Sequence, residues 1–142
     1  MYNNYQEALK NFRPNIVYIS TINPLHYNYT KKILKKGFNV IVDKPIALNF
    51  KASKNLLKIA KRKKLLLAEA TLFNYHRVFD LIKKECNGFD KIEHIKSDLN
   101  HPLILSPKQI EKIKADCEYD MAIYASSIIR LFMKNDIKDL SI

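Results

Sequence analysis

Glycine is nearly missing from this 142-residue chain, which carries it only at Gly37 and Gly88. A loop that cradles phosphates with backbone N–H groups needs several glycines close together, typically as G-x-G-x-x-G, and nothing before Ile16 can supply one. Cysteine is as sparse. Cys86 and Cys117 stand alone, outside any C-x-x-C or Cys/His spacing, so they read as buried free thiols, with no metal site and no disulfide expected. No apolar run approaches the roughly 18 residues that a membrane span requires. The N-terminal MYNNYQEALKNF has neither the basic nor the apolar region of a secretory signal, so the expected compartment is the cytoplasm. Arginine is scarce too, at Arg13, Arg62, Arg77 and Arg130, although the formal charge is +11. A basic balance made mostly of lysine lacks the bidentate forks that read guanine and grip phosphate, so no nucleic-acid partner is expected. The run KIAKRKKLL reads as the wet face and last turn of a helix, where cations suit the dipole.

What the chain does have is apolar side chain, 47% of its residues, in short runs with regular punctuation. YQEALKNF forms a short helix, and IVYIST, Ile16 to Thr21, is a buried strand. From Leu25 the apolar positions Leu25, Tyr29 and Ile33 recur every four residues, and Gly37 follows where a helix C-cap glycine belongs. NVIVDKP gives a second strand from Asn39 to Val42. Asn49 caps the next helix, with Ala52, Leu56, Leu57 and Ala60 on its apolar face. LLLAEA, Leu65 to Ala70, is the third strand. This β-α-β-α-β order, with strands apolar throughout, predicts parallel strands covered on both sides, and right-handed crossovers put the two intervening helices on one face.

Beyond Ala70 the pattern changes. TLFNYHRVFDLIKKECNG is helical through Lys84, and KIEHIKSDL, Lys91 to Leu99, alternates like a half-exposed strand of a new sheet. Ser106 and Pro107 start a short helix. A last helix runs from about Asp120 to Met133, with Met121, Ala125, Ile128, Ile129 and Phe132 as its buried stripe.

Several stretches resemble, in order, one family: the Gfo/Idh/MocA oxidoreductases, named for glucose-fructose oxidoreductase and inositol dehydrogenase. In that family a strand ending in T-x-N-x-x-H leads to a helix, a glycine and a strand closing on Glu-Lys-Pro. Thr21, Asn23, His26, Gly37, Lys44 and Pro45 match, with Asp43 in place of the glutamate. YDMAIYASSIIRLF resembles the family's D-x-G-x-[HY] helix, with Asp120 and Tyr124 on the motif. The resemblance implies the second half of a Rossmann-type parallel sheet (strands 4 to 6, residues 1–72), without its G-x-G-x-x-G half. Residues 73–142 would begin an α/β (α+β) C-terminal domain built on an open sheet.

The resemblance further implies an oxidoreductase that uses NAD or NADP on a sugar-like or cyclic alcohol or ketone. Thr21, Asn23, His26, Asp43 and Lys44 would meet the cofactor, and Lys44, Asp120 and Tyr124 would be catalytic. The full-length form is expected to be a homo-oligomer with a small-molecule substrate, and this chain a fragment of it. The alternative is a non-catalytic remnant or binding module that keeps the fold without the chemistry.

The chemistry fits the resemblance. Hydride transfer from an alcohol needs a group to take the hydroxyl proton, and an ammonium near Tyr124 favours the phenolate that can do so. Asp120 and Tyr124, four apart on a helix, project from one face. Lys44, ending a parallel strand, lies at the edge where open α/β sheets bind ligands. By itself, however, a Lys-Pro after a strand is a solvated end and a turn, His26 and Asn23 equally cap the following helix, and Tyr124 at helical spacing is core. Asn74 stands where the family has an arginine, Ala122 where its motif helix has a glycine, and ADCEY where the approach to the aspartate is rich in glycine. The residue before Pro45 is pushed out of the helical region, and a cis bond is open to it although only about 5 to 6% of such bonds are cis.

Overall fold

The computed structural model describes residues 2, 4–85, 94–99, 105–114 and 117–132. The chain divides into two compact units, Met1–Ala70 and Thr71–Ile142.

The first unit opens with α1 (Tyr5–Phe12), whose N-cap Asn4 accepts a hydrogen bond from the Gln6 N–H. Three strands follow, β1 (Ile16–Ile19), β2 (Asn39–Asp43) and β3 (Leu67–Ala70). They are joined by α2 (Asn23–Lys35) and α3 (Phe50–Lys63). The sheet order is β1-β2-β3 and both pairings are parallel, with Tyr18 beside Ile41 and Ile41 beside Ala68. β1 and β3 are shorter than their apolar runs, which continue into the adjoining loops.

Local signals set the helix ends. Pro24 lies in the first turn of α2, where its missing N–H costs nothing. Gly37 takes φ +92 just beyond the end of α2, a conformation a side chain would strain. Asn49 caps α3, its Oδ1 accepting from the Ala52 N–H at 2.8 Å. The apolar face of α3 is rotated from the expected one: Leu56, Ile59 and Ala60 are buried, whereas Leu57 is 55% exposed. Both sets lie at helical spacing, and the helix turns so that Ile59, not Leu57, meets the strands.

Alternation along the strands sends Val17, Ile19, Val40 and Val42 to one side, where they join Ile33 and Leu34 of α2 and Leu56, Ile59 and Ala60 of α3 in one core. The two crossover helices thus share a face, as right-handed connections require. The opposite face carries Ile16, Tyr18, Ile41 and Asp43, with Ile16 and Tyr18 exposed. Among the described residues of this unit, then, the helices cover one face of the sheet and not two. An apolar run shows that a strand is fit for burial on both sides, but the covering layer must come from elsewhere in the sequence.

In the second unit a 3-10 turn (Leu72–Tyr75) precedes α4 (Arg77–Glu85), so the expected single helix is broken at His76. α5 (Pro107–Ile113) starts at Ser106, whose backbone N–H donates to Gln109 Oε1 at 3.0 Å. A π turn (Cys117–Met121) runs into α6 (Ala122–Phe132). Phe132 is buried and packs on Phe79 with ring centroids 6.0 Å apart. The other buried residue of α6 is Ser127, outside the expected stripe.

The strand expected over Lys91–Leu99 is not seen where it is described: residues 94–99 form no ladder, and residues 91–93 lie outside the described residues. Period-two alternation makes a segment compatible with a sheet, but the strand exists only when a neighbour takes up its hydrogen bonds. Lys96 and Asp98 instead pair with each other at 3.2 Å on the surface.

Candidate active site

The C-terminal ends of β1 and β2 lie side by side, and the loops leaving them gather most of the expected residues of the first unit. β1 is followed by Ser20, Thr21 and Ile22, which lead into α2. β2 ends at Asp43, and Lys44 follows, joined to Pro45 by a cis peptide bond.

His26 ties these two loops together. It sits in the first turns of α2 with no exposed surface. Its Nδ1 lies 2.7 Å from the Pro45 carbonyl and its Nε2 2.9 Å from the Thr21 carbonyl. A neutral ring donates from one nitrogen only, and an imidazolium donates from both. His26 therefore fixes the spacing between the Thr21 loop and the Lys44-Pro45 turn through backbone atoms. This is a clamp between the two loops.

Asp43 forms a second tie on the uncovered face of the sheet. Its carboxylate accepts from the Ser20 hydroxyl at 2.6 Å and from the Tyr18 hydroxyl. Burial pushes the Asp43 carboxyl up, but the hydroxyls of Ser20 and Tyr18 and the electrostatic influence of nearby His26 and Lys44 outweigh it and hold the group below its ordinary value. The same hydrogen bond raises Tyr18, because the phenol must stay protonated to donate. A third tie comes from β3: Glu69 Oε1 accepts from the Ile46 N–H at 2.6 Å, pinning the chain just past Pro45.

Tyr18, Ser20 and Glu69 were not singled out from the sequence, yet each left a trace there. Tyr18 and Ser20 are two apart at the end of an apolar strand, on one side of it, opposite the acid that ends the next strand. Glu69 is the one charge inside LLLAEA.

The depressed Asp43 group has a pH consequence. Bonds that favour the carboxylate stabilise the fold above its unfolded value of about 3.9, and this contribution is lost as pH falls through the lower folded value. Asp43→Asn is therefore expected to lower stability at neutral pH and by clearly less at about pH 2, as the Asp43 carboxylate takes up its proton. Urea denaturation at the two pH values measures it, and an equal gap at both would contradict the assignment.

In the second unit Asp120 lies in the π turn and Tyr124 in the first turn of α6, both half-buried. A π turn is wider than an α turn, so residues four apart across the junction fall nearly in line. Among the described residues no group of three His, Cys, Asp or Glu side chains could hold a metal ion. No described helix is long and apolar enough to cross a membrane.

Comparison with known proteins agrees with this geometry. The family model GFO_IDH_MocA, described as "Oxidoreductase family, NAD-binding Rossmann fold", matches residues 1–71. The chain is 25% identical over 113 residues to trans-1,2-dihydrobenzene-1,2-diol dehydrogenase of Xenopus laevis, covering 78% of this chain and 34% of that protein. It is 30% identical over 83 residues to biliverdin reductase A of Mus musculus, covering 58% of this chain and 28% of that one. The structure of biliverdin reductase from Synechocystis sp. PCC 6803, in complex with biliverdin and NADP+, superposes with a TM-score of 0.55 at 25% identity, over 62% of this chain and 28% of that chain. The chain spans about a third of the length of the curated relatives it matches.

Proposed function

We propose, from the premise that the chain belongs to the Gfo/Idh/MocA oxidoreductase family, that the C-terminal edge of its sheet is the redox end of an enzyme that uses NAD or NADP on a sugar-like or cyclic alcohol or ketone. The observation that supports this best is the clamp. His26 and Glu69 hold the Thr21 loop and the Lys44-Pro45-Ile46 turn at the edge where open parallel sheets take ligands.

In this reading residues 1–72 are the nucleotide-binding part, and residues 73–142 begin a part that carries substrate contacts. The nicotinamide end of the cofactor would lie at Thr21, Asn23 and Lys44, and it supplies the acceptor or donor of the hydride. When an alcohol is oxidised, its carbon-bound hydrogen leaves with both bonding electrons and Tyr124 takes the hydroxyl proton. Lys44 would supply positive charge beside the nicotinamide. Asp120 accepts hydrogen bonds from substrate hydroxyls. Asp43 does not touch the reacting atoms in this scheme; it fixes the end of β2 from which Lys44 projects.

A second reading, a binding module without catalysis, is favoured by the scarcity of glycine. With glycine only at Gly37 and Gly88, these 142 residues contain no loop that can offer a row of N–H groups to a pyrophosphate. The chain alone is accordingly expected to bind NADH and NADPH weakly, which titration of reduced-cofactor fluorescence measures, and saturation at micromolar concentration would contradict it. The two readings separate on turnover. The whole protein, offered NADPH or NADH with a panel of cyclic and sugar ketones, oxidises the cofactor in the first reading and leaves it unchanged in the second.

A further inference from the structure

The charge of the molecule is unevenly placed. Residues 1–70 hold 14 lysines and arginines against Glu7, Asp43 and Glu69, whereas residues 71–142 hold 11 basic and 11 acidic side chains. The first unit thus carries the whole net charge.

Part of that charge surrounds a cavity. A groove of about 780 Å³ opens between the N-terminal turns of α2 and α3, with Tyr27, Leu48, Phe50, Lys51, Lys54 and Lys58 among its walls. Its size lies within the roughly 300 to 1,000 Å³ of small-molecule sites. Lys51, Lys54 and Lys58 stand at i, i+3 and i+7, so they share one side of α3, and none of the three acidic residues of the unit lines the groove. Like charges at this spacing repel one another, and an anion between them relieves that repulsion.

The apolar side of the groove is equally distinct. Phe50, the first residue of α3, is 78% exposed, with Lys54 Nζ 5.4 Å from its ring centroid. On the other wall the Tyr27 hydroxyl accepts from Asn55 Nδ2 at 2.7 Å and from Lys31 Nζ at 3.2 Å. These two bonds, with the nearby lysine charge, hold the phenol below its ordinary value. Tyr27 is thereby fixed in orientation with its own proton available for donation.

We propose that this groove binds a small phosphorylated molecule with an aromatic or apolar body, its phosphate between Lys51, Lys54 and Lys58 and its body against Phe50 and Leu48. Lysine ammonium groups grip phosphate as point charges. The site adjoins the clamped edge and shares only Asn23 with it. Of the residues assigned to the cofactor by resemblance, Asn23 lines the groove, and Thr21, His26, Asp43 and Lys44 do not.

Calorimetric titration of the 142-residue chain with phenyl phosphate, and with inorganic phosphate in parallel, tests this. Phenyl phosphate is expected to bind more tightly than inorganic phosphate. Changing Lys51, Lys54 and Lys58 together to glutamine weakens it by roughly tenfold, the combined effect of three exposed charge pairs. Phe50→Ala removes the preference for the phenyl compound. All four side chains are exposed, so the variants should keep the circular dichroism of the parent. Phenyl phosphate binding that survives the triple change overturns the assignment, as does the absence of saturable heat at millimolar concentration. Equal binding of the two phosphates also overturns it, since it would mean a charged surface without a site. A single-stranded oligonucleotide that binds through the three lysines while phenyl phosphate does not bind would make the face a nucleic-acid surface instead.

Discussion

Lys44→Met in the whole protein is expected to lower turnover by about 10² to 10⁴, the usual contribution of a general acid-base arrangement, while the chain still folds. Methionine keeps an unbranched side chain of similar bulk and removes the charge and its N–H donors. In the proposed scheme Tyr124 carries the substrate proton, so Tyr124→Phe should show a loss of the same order. Asp120→Asn should raise KM for the substrate more than it changes the affinity for cofactor. The competing account, in which Lys44 is a solvated strand end and Tyr124 packs in a core, predicts that both conservative changes are silent and that Tyr124→Ala destabilises the protein. Turnover within twofold of the parent for both Lys44→Met and Tyr124→Phe would end the catalytic assignment.

The second large effect is on stability. His26→Ala is expected to cost roughly 3 to 5 kcal/mol, because it leaves a cavity and strands two carbonyl acceptors in a buried place. His26 has no exposed surface, and its ring is the link between the Thr21 and Pro45 carbonyls. His26→Phe separates the two contributions: it refills the cavity but offers no donor to either carbonyl, so a large part of the loss should persist. Urea denaturation of the three proteins measures both. If phenylalanine restores full stability, His26 is a space-filling side chain and the clamp carries nothing.

The parallel sheet was legible from residue types alone, since IVYIST, NVIVD and LLLAEA are short apolar runs separated by helical patterns of the right length. Caps were legible as well. Asn49, Gly37 and Ser106 sit where backbone groups at helix ends need them. The rotation of α3 was not, because Leu57 and Ile59 both satisfy a helical period and only tertiary packing chooses between them. Neither was the absence of a strand at residues 94–99, which depends on a partner that local alternation does not reveal.

For the candidate site, the resemblance pointed to Lys44 and His26, but what surrounds them came from the fold. Asp43 and Ser20 are 23 residues apart, as are Ile46 and Glu69, and only the parallel register brings each pair together. Sequence spacing finds partners within a helix or a turn; it does not find partners across a crossover.

The central claim is that the edge formed by the Thr21 loop and the Lys44 turn receives the nicotinamide. The most direct measurement is an amide chemical-shift titration of the isotope-labelled 142-residue chain with reduced nicotinamide riboside, which lacks the phosphate that the lysine groove would hold. The account predicts that the largest shifts fall on the amides of Thr21, Lys44 and Ile46, and that Lys44→Met reduces them. Shifts concentrated on Phe50, Lys51 and Lys54 instead, or a response at the edge that is unchanged by Lys44→Met, would contradict it.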